Sequence, residues 1–135
     1  MKFTLKIILI MLAALLFEEF VGGIWWGFAF AVALVAILMS PRPRRKFSAK
    51  QDKSFDNDFL AGFIGVALLW ALAAFWKDYN NNSILGGRMA ELFSIPSTSL
   101  LIVVVSLVGG LVGGLASLTG GYLGEMLKSQ FMKRR

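Results

Sequence analysis

The sequence predicts an all-α fold: an integral membrane bundle of four transmembrane helices, with a short amphipathic helix at the interface between the third and fourth. Three observations predict it. Hydrophobic residues make up 57% of the 135-residue chain and charged residues 16%, against about 25% charged in an average soluble domain. The apolar residues gather in four continuous runs, where a membrane barrel needs alternating strands. Twelve of the fourteen Lys and Arg residues fall on one side of a four-span chain.

The runs place the spans at about residues 3–20, 21–39, 59–76 and 100–122 of a single transmembrane domain covering residues 1–135. A helix rises about 1.5 Å per residue, so about 20 residues cross a hydrocarbon core of about 30 Å. The first run is the shortest and ends at Glu18-Glu19. It spans only with Lys2, Lys6 and the two glutamates at the interfaces, where long side chains snorkel to water. The second stops at Ser40-Pro41-Arg42-Pro43. The N-terminal lysines and apolar run also suit a signal peptide. Residues 15–21 offer no small-x-small cleavage site, so the first helix is expected to be retained.

Lys2 and Lys6, the basic loop 41–58 and the C-terminal Lys128, Lys133, Arg134 and Arg135 share one side, and only Lys77 and Arg88 face the other. The positive-inside rule makes the first side cytoplasmic, with both chain ends there. Trp25, Trp26, Trp76 and Tyr79 then all fall at the outer interface, the level such rings favour. Trp70 lies deeper, as a packing or lipid-facing residue. In the outer loop 77–99, Ser83 is placed as an N-cap. Leu85, Met89, Leu92 and Phe93 follow on one helical face, and Pro96 ends the segment.

The glycines of the last span form its most specific pattern. Ser106, Gly109, Gly110, Gly113, Gly114, Ser117, Gly120, Gly121 and Gly124 occupy one broad face. Small residues four apart let two helix backbones approach closely. Three uses follow: packing against the other helices of the chain, self-association, or a gap for a small solute. Gly27, Ala31, Gly62, Gly65, Ala67 and Ala71 offer matching small positions and favour packing within the chain.

Glu18 and Glu19 are the acids nearest an apolar span, and an intramembrane carboxylate is a candidate ion or proton site. Neighbouring residues diverge by about 100° on a helix, so they form no single chelating pair. Their place at the end of the run suits interface residues of a hairpin turned at Gly22-Gly23. Arg42, Arg44, Arg45 and Lys46 are expected to contact lipid headgroups. Asp52, Asp56 and Asp58 read as acids of a solvated loop. No nucleic acid is expected, since the basic loop carries no recognisable module or Tyr/Trp stacking platform.

The chain has no cysteine and no histidine. That excludes disulfides, thiolate metal sites and Ser-His or Cys-His nucleophiles. The Gly-Gly-x-x-Gly-Gly at 109–114 lies within a span and lacks the Lys-Ser/Thr of a phosphate loop. No enzyme activity, cofactor or metal is expected.

Gly22-Gly23-Ile24-Trp25-Trp26, Phe59-Leu60-Ala61-Gly62-Phe63 with Leu69-Trp70, Asn82-Ser83-Ile84-Leu85 before Leu92-Phe93, and the glycine run 108–121 together resemble a group of small, uncharacterised four-helix membrane proteins of Bacteroidota. The resemblance covers about residues 20–122 and implies a bacterial inner-membrane location. It implies no activity. Small four-helix fluoride channels and multidrug exporters share the length and the glycine-rich helices. This chain lacks the arginine or asparagine within a span of the former and the central first-helix acid of the latter. The expected role is a structural or accessory subunit of a membrane assembly, with a small oligomeric channel or transporter as the alternative. The expected partners are the lipid bilayer and either another membrane protein or further copies of the chain.

Overall fold

A computed structural model describes residues 2–20, 27–40 and 52–133. Five α-helices follow one another: α1 (Lys2–Phe20), α2 (Gly27–Met39), α3 (Asp52–Asn80), α4 (Ile84–Leu92) and α5 (Thr98–Lys133). Among the described residues there is no strand. The all-helical class and the short helix before the last long one therefore stand.

The expectation of four spans is met in part. Two helices are long and apolar enough to cross a membrane, within Asn57–Asn80 and Thr98–Phe131. The apolar parts of α1 and α2, Phe3–Phe17 and Gly27–Met39, are shorter. At 13 residues, α2 is about 20 Å long, well under the hydrocarbon thickness. The first six residues of the expected second span, 21–26, lie outside the described residues, as does the Gly22-Gly23 hairpin.

The long helices also overrun their expected limits. Helix α3 starts at Asp52, inside the segment read as loop. Asp52, Asp56 and Asp58 fall within its first two turns. Helix α5 continues to Lys133, eleven residues past the expected end at Tyr122. No proline interrupts that stretch, and it is rich in Leu, Met, Lys, Glu and Gln, which are good helix formers.

Helix α5 packs on α3 and α2, while α1 packs on α2 and α3. The four long helices thus form a ring with α1 and α5 on one diagonal. The core they enclose is small: Ile10 and Ala14 from α1, Phe28 and Val32 from α2, Ala61, Val66 and Leu69 from α3, with Ala116 of α5 packed against it. Phe28 and Trp70 meet at a ring-centroid distance of 5.3 Å. The bulky residues Leu107, Leu111, Leu115 and Met126 of α5 face outward.

Helix α4 caps one end. Its apolar residues Leu85, Met89, Leu92 and Phe93 are exposed, and it turns Ala90 inward. Two sequence expectations change here. Ser83 precedes the helix but makes no capping bond, because its φ of 57° is left-handed. Its hydroxyl instead donates to Asp78 Oδ2 at 2.9 Å. The stop comes before Pro96: Ser94 takes a φ of 56°, Ser94 N–H bonds Glu91 O and Ile95 N–H bonds Ala90 O. This is a Schellman end with serine in the left-handed position that glycine usually fills.

The packing makes glycine substitutions separable. A Cβ on Gly62 would sit 2.5 Å from Ser117 Cβ, and one on Gly87 would meet nothing within 4 Å. Gly62→Ala is expected to destabilise the protein by about 1–3 kcal/mol through overpacking. Gly87→Ala is expected to be neutral or stabilising by up to about 1 kcal/mol, from helix propensity. Thermal unfolding of the two variants in detergent measures the difference.

Candidate functional site

The glycine face of α5 is covered from within the chain. Gly109 lies under the Trp70 ring, where a Cβ would come within 2.6 Å of Cδ2; Gly110 lies under Ala67 and Phe63, and Gly114 under Phe59. Gly113 faces Val66, whose Cβ would be 2.6 Å from an added Cβ. Further along, Gly120 meets Ala33 and Ala36 of α2, Gly121 meets the Asp58 carboxylate of α3, and Gly124 meets Ile37 and Ser40. One helix thus serves two neighbours: α3 over most of the seam and α2 at its end.

Ser106 is buried, and its hydroxyl donates to Ile102 O at 2.6 Å. Ser117 is fully buried, and its Oγ has no hydrogen-bond partner. It sits at the tightest α3–α5 approach, opposite Gly62, one turn from Gly121 and Gly113.

The end of the bundle that holds the start of α1 and the ends of α2 and α5 carries a polar cluster. Lys6 of α1 forms an ion pair with Asp58 of α3. Both residues are nearly closed off, at 6% and 7% exposure. The other face of the Asp58 carboxylate rests on Gly121: a Cβ there would lie 2.5 Å from Oδ2. Ser40, just past α2, is buried and donates to Gly121 O at 3.2 Å. Lys128 of α5 reaches the end of α2, with Nζ donating to Ile37 O at 3.3 Å, Leu38 O at 3.4 Å and Ser40 O. The end of a helix leaves its last carbonyls short of partners, Ile37 O accepting, among the described residues, only the Ser40 N–H at 3.4 Å besides Lys128, and the negative pole of the helix favours a cation.

This cluster corrects three sequence assignments. Lys6 does not snorkel to water; it turns inward. Asp58 is not a loop acid but a helical residue two turns into α3. Lys128 does more than mark topology, since it caps α2. The signal for the pair was present: Lys6 interrupts an apolar run, Asp58 directly precedes another, and both belong to the same end of the bundle.

Glu18 and Glu19 stand in the last turn of α1, at the opposite end of that helix from Lys6, and their side chains lie outside the described residues. Arg42, Arg44, Arg45 and Lys46 lie outside them too. Among the described residues, no three His, Cys, Asp or Glu side chains gather as a metal site. No family model, curated protein or solved structure matches the chain.

Chemically, the cluster holds helices together. A buried ion pair costs desolvation that its Coulomb attraction must offset, and removing one partner strands the other charge. Lys6→Met or Asp58→Leu alone is expected to cost about 3–5 kcal/mol, and the double replacement to recover most of that loss. A double-mutant cycle on thermal unfolding in detergent tests this. Additive single effects would show that the two side chains do not act as a pair.

Proposed function

We propose that this chain is an integral membrane protein that serves as a structural or accessory subunit of a membrane assembly, with no catalysis of its own. One observation carries the membrane part. The two long helices are apolar, yet only 28% of the apolar window of each is buried inside the chain. The core helix of a soluble protein hides its apolar surface, and monomeric soluble proteins seldom leave more than a few hundred Å² of it in one patch. Lipid accepts that surface without cost.

The use of the polar groups supports the subunit part. Of the five buried polar residues among those described, Lys6, Asp58 and Ser40 bond between helices, Ser106 bonds within α5, and Ser117 has no partner. Channels and carriers aim such groups at a path; here Lys6, Asp58 and Ser40 lock helix to helix. The polar ends of α1, α2 and α5 gather with the start of α3, as four antiparallel passes require. We therefore include in the proposal the four-pass arrangement, with α1 and α2 crossing as short helices aided by flanking residues. The cytoplasmic placement of both termini rests on the 12-to-2 split of basic residues. The bacterial inner membrane is the location implied by the Bacteroidota resemblance.

The test uses the tagged full-length protein. It is expected to stay in the membrane pellet after alkaline carbonate, and native mass spectrometry of a gentle detergent extract should show a fixed complex with a different membrane protein. Release by carbonate would remove the membrane reading. A homo-oligomer that conducts ions in liposomes, and loses conduction in Glu19→Gln, would replace the subunit with a channel.

A further inference from the structure

A groove between α3, α4 and α5 opens at the end of the bundle away from Lys6 and Asp58. Its volume is about 140 Å³, and its walls are almost wholly apolar. The partly buried Ala74 of α3 and Leu101, Ile102 and Val105 of α5 form its floor. The exposed Leu85 and Met89 of α4 form its rim. Thr98 and Val105 both line it, so the groove runs about 10 Å along α5, from the α4 end toward the middle of the bundle.

The charge offered to an occupant is that of Lys77. It lines the groove at the α4 end and, among the described residues, makes no ion pair. Asp78 lines the groove too, but its oxygens are engaged inside the chain. Oδ2 accepts the Ser83 hydroxyl at 2.9 Å, and Oδ1 is buried against Gly86, where a Cβ would overlap it. An occupant therefore meets an ammonium at one end and hydrocarbon walls beyond it.

Apolar walls favour an apolar occupant. Water needs several polar partners that these walls lack, whereas methylene groups restore the dispersion contacts that a gap forfeits. A cavity of roughly 150 Å³ admits benzene, so this one takes about six carbons of an acyl chain. The exposed rings of Trp76 and Tyr79 flank Lys77 along the chain, and such rings favour the headgroup level of a bilayer. Lys77 thus stands where lipid phosphates stand, and the track below it lies where acyl chains begin. A side chain from a partner protein would fill the track but leave the Lys77 charge unmatched. A phospholipid matches both. We propose that the groove is a phospholipid site, with one acyl chain along Ala74, Leu101, Ile102 and Val105 and the Lys77 ammonium donating to the phosphate. The assignment rests on the membrane reading.

Native mass spectrometry of the delipidated full-length protein, titrated with dioleoyl phosphatidylglycerol or dioleoylglycerol, tests it. The two share their acyl chains, and only the first has a phosphate. The phospholipid is expected to be retained roughly tenfold better, the worth of one hydrogen bond to a charged group. Lys77→Ala, at an exposed position, should erase that preference. Ala74→Phe places a phenyl ring in the track and should weaken retention of both lipids. Met89→Trp fills the groove from its exposed side and should do the same where Ala74→Phe fails to fold. Equal retention of the two lipids by the unmodified protein would overturn the assignment, as would an unchanged preference in Lys77→Ala. Undiminished retention in the filled variants would put the lipid elsewhere and overturn it too. A photoreactive side chain in place of Met89 that labels a protein instead of lipid in the native membrane would give the groove to a partner subunit and overturn the lipid. A protein released by carbonate fails the membrane reading, whereas a membrane-embedded protein that retains both lipids equally fails this inference alone.

Discussion

Helix α5 approaches α3 at Gly62, Gly113 and Ser117 so closely that a methyl group on either glycine would overlap its neighbour. The same helix presses Gly120 and Gly124 against the backbone of α2. Small residues on a helix face forgo the burial of side-chain surface. What they gain is the summed dispersion attraction of many backbone atoms in contact. The distribution of the large side chains follows from this choice. With glycine and serine filling the seams, Leu107, Leu111 and Leu115 have no inner position to take and point outward. A bundle built this way draws little stability from removing apolar surface from water. It is suited to a solvent that is itself apolar.

In such a solvent the few polar groups carry unusual weight. Lys6 and Asp58 join α1 to α3, Ser40 joins α2 to α5, and Lys128 ties α5 back to the carbonyls at the end of α2. Each contact links helices that are distant in sequence, and all lie at one end of the bundle. The glycine seam fixes how near the helices come; the ion pair and the carbonyl cap fix which end of each meets which. A slide of one turn along α5 would set the Asp58 carboxylate against the Ser117 side chain in place of Gly121, and would strip Lys128 from its carbonyls. The register is therefore specified electrostatically where the seam alone, with glycines repeating every four residues, would tolerate a shift.

The helical class, the short helix before α5 and the membrane-suited surface were legible in the sequence, because continuous apolar runs and breakers such as the Asn80-Asn81-Asn82 turn act locally. The limits of α3 and α5 were less so. Hydropathy marks where a helix is apolar, not where it ends, and Asp52–Asp58 and Glu125–Lys133 are polar helix. Lys6 and Asp58 were misplaced for a different reason. Snorkelling and internal pairing make the same residue pattern, and only the docking of α1 on α3 decides between them. Ser83 was misassigned because Asp78, five residues earlier, competes for its hydroxyl. The close glycine contacts were legible as a seam but not as a pairing, since Gly109 finding Trp70 and Gly121 finding Asp58 depend on the rotation of α3.

The two ends of the bundle differ in how completely their polar groups are satisfied. At the Lys6 end the carboxylate is paired and the carbonyls at the end of α2 are capped by a cation. At the α4 end, Asp78 keeps one oxygen buried and unpaired although Lys77 and Arg88 are both close in sequence. Local rearrangement offers no cure, because Ser83 already holds Oδ2 and Gly86 closes the space in which a donor from α4 would stand. Gly86 is itself a packing requirement, since a Cβ there would overlap both the Asp78 carboxylate and the Thr98 methyl group. The same helix presents Leu85, Met89 and Leu92 outward, so α4 closes over a polar group on one side and offers an apolar face on the other.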